Sequence, residues 1–372
     1  MNRKLIRILQ LILVMILIGG FSSLMMIGKP LNTKTDISLK GVPSDIEHAL
    51  YYASFAASSH NTQSWKVNLD SKQNNLTVHL DKKRSLNVVD PNNRELYLSI
   101  GFYLQSLKTS FEAYGYKVTL EHTSPRTANN FQVAHISYKK CKNKTVNEKA
   151  IQIIKQRHTD KRKYQKKEIS SQILSTLKKK YEGLSYYAKG SEEFDYLRKD
   201  SINAVTKQHK NKDFLEEQNK WLRFSNQESK EKQDGISGDM LGLGFLMKSL
   251  YYLTTNHQNA TSQTFAKQSI KTLTNQVNNT AGFFVITSNQ TISDWIATGQ
   301  KTQAFWYDCV KYHIAIQPIS TMIETSPYKE KLQQNLGLSQ DVQMILRAGY
   351  VKNYGKNAGL RRDLKDYINV RT

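Results

Sequence analysis

The sequence is short of the residues that would place it in several common classes. It has two cysteines, Cys141 and Cys309, too few for a disulfide scaffold or a cysteine-based zinc site. Only 6 prolines and 18 glycines, against 20 tyrosines and 13 phenylalanines, exclude a collagen-like or largely disordered chain. Acid is scarce as well: 31 Asp and Glu face 54 Lys and Arg, a net charge of +23 that points to a polyanionic partner. Several signatures of chemistry are missing too. No G-x-G-x-x-G fingerprint follows a strand, no phosphate loop ends in Gly-Lys-Ser/Thr, and no His-x-x-x-His pair or Gly-x-Ser-x-Gly elbow occurs. What remains is a chain of 372 residues, 39% hydrophobic, long enough for about two domains with a sizeable core.

The first thirty residues stand apart. After Arg3, Lys4 and Arg7 comes an apolar run, Ile8–Ile27, whose clearly polar members are Gln10, Ser22 and Ser23. About 20 apolar residues span a bilayer as a helix, more than the core of a cleaved signal peptide needs. The expectation is an uncleaved signal anchor over residues 1–28. The single-pass protein would sit in the cell membrane with its basic flank inside and the rest outside, against an anionic lipid surface. Residues 29–41 would be a tether.

Two units follow. Residues 42–145 hold a helix over 44–59, strand patterns at Trp65–Leu69 and Leu76–Leu80, and a helix from Arg94 to Tyr114. That helix carries apolar residues every three or four positions and is closed by Gly115. Strands at about 116–122 and 131–138 complete the unit. Residues 146–372 start with a helix near 146–157 and include a long helix over about 293–314, strand-like runs Phe283–Thr287 and Gln343–Tyr350, and a helix start at Ser326-Pro327. Segments 200–232 and 240–280 are polar and helical, fitting a lid-like insertion over about 200–280. The class is α+β.

Three runs could carry chemistry. Ala57-Ser-Ser-His-Asn-Thr-Gln-Ser-Trp65 places consecutive hydrogen-bonding side chains between a helix and a strand, either as a capped polar loop or as groups offered to a polar ring or phosphate ester. Arg157-His-Thr-Asp-Lys-Arg-Lys-Tyr164 ends a helix with a guanidinium fork, a hydroxyl and a point charge, which suit a phosphate or an anionic ring. Its alternative is a solvated basic face. The third, Gln343–Tyr350 with Arg361-Arg362, is an apolar strand followed by a cationic pair.

Together these runs resemble the nitroreductase-like FMN flavoproteins. The run from Ala57 to Trp65 looks like the family's Pro-Ser-x-x-Asn-x-Gln-Pro-Trp loop, and Arg157–Arg162 is similar to its Arg-x-Ser/Thr-x-Lys/Arg phosphate motif. Asp90-Pro-Asn-Asn-Arg-Glu95, Asp234-Gly235, Asp294-Trp295 with Gly299-Gln300 and Gln303, and Leu346–Tyr350 with Arg361-Arg362 match in order and spacing. The order looks most like the Acg-type branch, in which one chain carries two fused halves that imitate the usual homodimer. The resemblance implies a nitroreductase-like fold, one FMN per chain and a monomer.

In that resemblance Ser58, Ser59 and Asn61 contact the flavin ring and ribityl chain. Arg157, Thr159 and Lys161 hold the phosphate and the pyrimidine edge, where Lys161 would stabilise the reduced flavin. Arg361 or Arg362 adds a cation to the phosphate, and Ile319 and Ser320 lie where a backbone N–H meets flavin N5. No catalytic side chain and no metal ligand is implied. Ala57 and Ser64 replace the family's prolines, and Asp160 is an acid among the phosphate ligands. The implied function is reduction of small nitro or quinone-like electron acceptors through FMN, with NAD(P)H as donor. The alternatives are a flavin-holding protein without turnover and a cationic surface protein that binds polyanions. No nucleic-acid motif is present, so no specific nucleic-acid partner is expected.

Overall fold

The computed structural model describes residues 24–32, 34–123 and 131–371. It shows an α+β architecture built on two sheets and two long helices. The first sheet has the strand order β3-β4-β2-β1-β9: β1 (Trp65–Asp70), β2 (Asn75–Leu80), β3 (Tyr116–His122), β4 (Gln132–Lys140) and the C-terminal β9 (Ile368–Arg371). The second sheet runs β5-β6-β8-β7: β5 (Leu184–Ala188), β6 (Gly282–Ser288), β7 (Ala315–Pro318) and β8 (Asp341–Gly349). All pairings are antiparallel except β1 with β9, where Val67 lies opposite Ile368. The last strand of the chain thus completes the sheet made by the first strands.

The helices are α1 (Ser44–Ala53), α2 (Arg94–Ala113), α3 (Glu148–Gln156), α4 (Ser171–Lys180) and α5 (Glu192–Gln208). Four helices form the insertion: α6 (Lys212–Lys220), α7 (Asn226–Lys232), α8 (Phe245–Thr254) and α9 (Gln263–Asn278). Then come α10 (Ile292–Lys311), the single turn α11 (Thr321–Glu324) and α12 (Tyr328–Asn335). Helix α2 forms where the spacing predicts it: Leu96, Ile100, Leu104, Leu107 and Phe111 are buried, and Gly115, at φ +81, closes it. Only glycine enters that left-handed region without cost. Thr291 caps α10 by accepting the N–H of Asp294 at 3.1 Å.

Helices α2 and α10 pack along their lengths, and glycine sets how closely. A Cβ on Gly101 would lie 2.1 Å from the Ile296 carbonyl oxygen, and one on Gly299 would lie 2.2 Å from that of Leu98. The pair brings Trp295 and Ile296 into the first core, where Trp65 stacks on Tyr103 with ring centres 4.5 Å apart. That stack fixes the strand on which the polar 57–65 loop ends.

The membrane expectation is corrected. Among the described residues no helix is long and apolar enough to cross a membrane, so the transmembrane helix and the single-pass membrane placement are dropped. Residues 1–23, which carried most of that expectation, lie outside the described residues. The described end of the run is spent on protein contacts. Leu24–Gly28 is helical, the Leu24 carbonyl accepts Ser249 Oγ of α8 at 2.9 Å, and Gly28 sits against Phe245. Residues 29–41, expected as a tether, run beside the C-terminal tail. The Asp36 N–H donates to Asp363 at 2.7 Å, the Leu39 N–H donates to Glu47 at 2.6 Å, and Leu39 is buried.

Candidate functional site

The 57–65 loop begins where α1 stops and is held in an uncommon backbone. Ser58 is extended, whereas His60, Asn61 and Gln63 have φ values of 47°, 53° and 51°. Each such non-glycine residue costs on the order of 1 kcal/mol, so the surroundings must enforce it. They do so through two distant segments. Asn61 Nδ2 donates to the carbonyls of Gly235 (3.0 Å) and Leu360 (3.2 Å), and its Oδ1 accepts Arg361 Nη1 at 2.9 Å. Gln63 Nε2 donates to the Gln233 carbonyl at 2.9 Å, while its Oε1 accepts the Arg362 N–H at 3.0 Å. Ser58 Oγ accepts the Gln63 N–H at 3.1 Å, and Gln303 of α10 accepts the Ala57 N–H at 3.3 Å. The insertion and the C-terminal tail are therefore both fastened to this loop.

Beside the loop, the charges of two guanidiniums act on each other, and among the described residues neither has an acid partner. Arg157, at the end of α3, donates Nη2 to the Phe55 carbonyl and lies 5.0 Å over the Trp306 ring. Arg361 donates Nη1 to Asn61 and, at 2.6 Å, to the Leu360 carbonyl, and lies 5.5 Å over Phe55. Both residues are buried, and among the described residues neither forms an ion pair. Each has a buried Nε that has no partner among the described residues. Burial pushes Arg157 down to about 10; burial and then the Arg157 charge push Arg361 down to about 9. A guanidinium does not surrender its proton in proteins, so the relief such a pair calls for is an anion. Arg362 is placed differently. It donates to the carbonyls of Gln63 (2.6 Å) and Trp65 (2.9 Å), which ties the loop to β1. Of the two expected cations, Arg361 is the one on which the Arg157 charge acts.

The segment after Arg157 is extended along β7, with Thr159 bridged to Ile316 and the Asp160 N–H donating to the Ile316 carbonyl at 2.9 Å. Side chains alternate along such a segment. Asp160 accordingly turns to the other side, where it accepts Arg162 Nε (2.9 Å) and Nη2 (2.5 Å). Against the upward push of burial, hydrogen bonds from His158 and Arg162 hold its carboxyl well below the usual range. The charge of Lys161 acts on His60 of the 57–65 loop. Burial pushes its ammonium down to about 8, and among the described residues it has no carboxylate partner. Its carbonyl accepts Gln276 Nε2 of α9 at 3.0 Å, so the insertion also touches this segment.

Near Lys161 lies a buried group that the sequence reading left out. Glu95, in the first turn of α2, accepts Ser59 Oγ at 2.6 Å and Arg94 Nη2 at 3.0 Å. Glu324, which ends α11, accepts Gln208 Nε2 at 2.7 Å and also hydrogen-bonds Ser320 and Glu95. Burial first, and the Glu95 charge second, push Glu324 up to about 8. The charges of Glu95 and Lys161 both act on His60, and burial lowers its imidazole so that it is neutral at pH 7; its Nδ1 is buried and, among the described residues, has no partner. Ser59, Lys161 and Ser320, all expected at a flavin, thus border one polar cluster. Ile319 does not offer its N–H there, because it donates to the Ile345 carbonyl at 2.8 Å. His60 and Glu95 sit inside runs that carried the resemblance and were readable as polar. Glu324, in an ordinary-looking Met-Ile-Glu stretch, gave no signal.

No protein-family model matches the chain, and no curated protein matches it. Among solved structures it is similar to the FMN-dependent nitroreductase NfnB from Mycobacterium smegmatis in complex with NADPH. The identity is 13% over 55% of this chain and 88% of that one, with a TM-score of 0.34. It is also similar to a nitroreductase-like family protein from Bacillus cereus, at 14% identity over 54% and 85% of the two chains, TM-score 0.27. Overlaps of this quality carry no argument, so the functional reading rests on the residues described above.

Proposed function

We propose that the chain is an FMN-dependent oxidoreductase of the nitroreductase type, with NAD(P)H as reductant and small nitro or quinone-like compounds as acceptors. The observation that carries the reading is the buried Arg157–Arg361 pair, two guanidiniums with free Nε–H groups and no acid, set beside a polar cluster that contains Lys161. The donor set fits FMN: a phosphate would take the two forks, and Lys161 would face the electron-rich edge of the ring. When bound, the flavin supplies hydride transfer, and the protein supplies binding, orientation and charge. Arg157 and Arg361 bind, Thr159 and Ser59 offer hydroxyls, and the 57–65 loop, held by Asn61 and Gln63, fixes the angle of approach. The insertion, joined to the site through Gly235, Gln233 and Gln276, keeps water away.

The same insertion supports a second reading, a flavin-holding protein without turnover, because three of its segments are fastened over the site. Rapid mixing of the FMN-loaded protein with NADPH separates the two. Turnover bleaches the flavin absorbance within seconds, whereas storage leaves it unchanged over minutes. A purified chain that carries no yellow chromophore and takes up no added FMN removes both.

A further inference from the structure

Three titratable groups at this site have no task in binding a flavin: the buried Glu95 and the half-buried Glu324 and His60. The two carboxyls come from different elements, the start of α2 and the end of α11, and hydrogen-bond each other. Two ionised carboxylates in such contact repel strongly in a buried setting, and one proton between them removes the repulsion. Their partners decide which holds it. Glu95 accepts from the Arg94 guanidinium and from Ser59, and both bonds favour the charged form. Glu324 has the Gln208 amide and the Ser320 hydroxyl, and among the described residues no cation.

We propose that Glu95 and Glu324 hold one proton between them, carried by Glu324, and that this pair, with His60 beside it, is the proton store for the ligand bound against Ser59, Lys161 and Ser320. The proposal rests on the flavin reading only for the identity of that ligand. The surroundings are mixed in charge. Arg94 of α2 and Lys161 beside β7 are cations; Asp90, ahead of α2, and Glu217 of α6 are acids that act on Glu95 and His60 respectively. The Glu95 charge favours retention of the proton on Glu324. His60 is neutral and has an unpartnered Nδ1, which leaves it able to accept a proton and pass it on. The step is a proton transfer alone. The O–H bond of Glu324 breaks, its electron pair stays on the carboxylate, the ligand gains one proton, and solvent refills the pair.

Infrared difference spectroscopy on the ligand-free full chain tests this. At pH 7, wild type minus Glu324→Gln should show the carbonyl band of a protonated carboxylic acid. Asp90, pushed up to about 7 by burial and then by Glu95, contributes the same band to both proteins and cancels. In wild type alone, the Glu324 component should vanish as the pH rises through about 8. In Glu95→Gln, a second variant that keeps the shape, removal of the like charge should move its midpoint to lower pH. A difference spectrum without that band, or a midpoint that Glu95→Gln leaves in place, overturns the proposal. FMN uptake is measured separately. The band without FMN uptake keeps the shared proton and removes the flavin, and FMN uptake without the band does the reverse.

Discussion

At the scale of single residues, the candidate site gathers charged groups that are buried or half-buried and unevenly paired. Among the described residues Arg157, Arg361 and Lys161 have no acid partner, while Glu95 and Glu324 hydrogen-bond each other. The acids make a prediction about stability. Glu324 is raised from its ordinary 4.5 to about 8, and Asp90 from 3.8 to about 7, in both cases first by burial and then by the charge of Glu95. Folded protein therefore keeps protons that unfolded chain has already released. The contribution is full below pH about 4 and is lost as pH rises through 7 to 8. The urea midpoint should fall between pH 5 and 8, and fall less in Glu324→Gln; a midpoint that rises over that range contradicts the assignment. Lys161 acts in the opposite sense above this window. Its folded value of about 8 lies below its ordinary 10.5, so its contribution is present above 10.5 and lost as pH falls through 8.

At the scale of elements, the crossing of α2 and α10 depends on two glycines whose absent side chains are replaced by backbone. Gly101→Ala places a methyl group 2.1 Å from a main-chain oxygen, and neither helix has a flexible atom to yield. Overpacking of a core costs about 1–3 kcal/mol, occasionally more, and here the helices must separate. We expect a loss at the upper end of that range in denaturant unfolding, and a similar loss for Gly299→Ala; a change below about 0.5 kcal/mol would show that the helices adjust freely. Much at this scale was legible in the sequence. The spacing of Leu96, Ile100, Leu104, Leu107 and Phe111 with Gly115 after them locates α2, and the apolar run Phe283–Thr287 marks a strand buried on both faces. The limits came from long-range contacts. Strand β9 is four residues whose partner, β1, lies some 300 positions away, and nothing local marks it. Helix α1 stops at Ala53 instead of 59 because the following residues are drawn into turns that lead to the strained loop. Among the candidate residues, Arg157 and Lys161 stand in an alternating basic pattern that the sequence displays. The choice of Arg361 over Arg362 required three-dimensional placement, and so did the pairing of Glu95 with Glu324.

At the scale of the molecule, the net charge of +23 divides unevenly. Some cations are internal struts, as where Asp234 of the insertion accepts Arg84 at 2.7 Å and Arg223 at 2.5 Å. A few, Arg157 and Arg361 among them, are buried and have no acid partner among the described residues. The Asp234 strut fastens the insertion to the body, and breaking a buried pair leaves uncompensated charge at a cost of roughly 3–5 kcal/mol. Asp234→Asn should therefore loosen residues 200–280, seen as faster limited proteolysis there and faster FMN association. Unchanged cleavage would show that Asn61, Gln63 and Gln276 hold the insertion without it. The central claim, that Arg157 and Arg361 form a phosphate site, is tested most directly by titrating the full chain with FMN and with riboflavin, which lacks the phosphate. The account predicts one FMN per chain, bound well above riboflavin, with Arg361→Gln lowering FMN affinity roughly 10- to 100-fold and leaving riboflavin nearly unchanged. Equal affinity for the two flavins, or binding of neither, would contradict it.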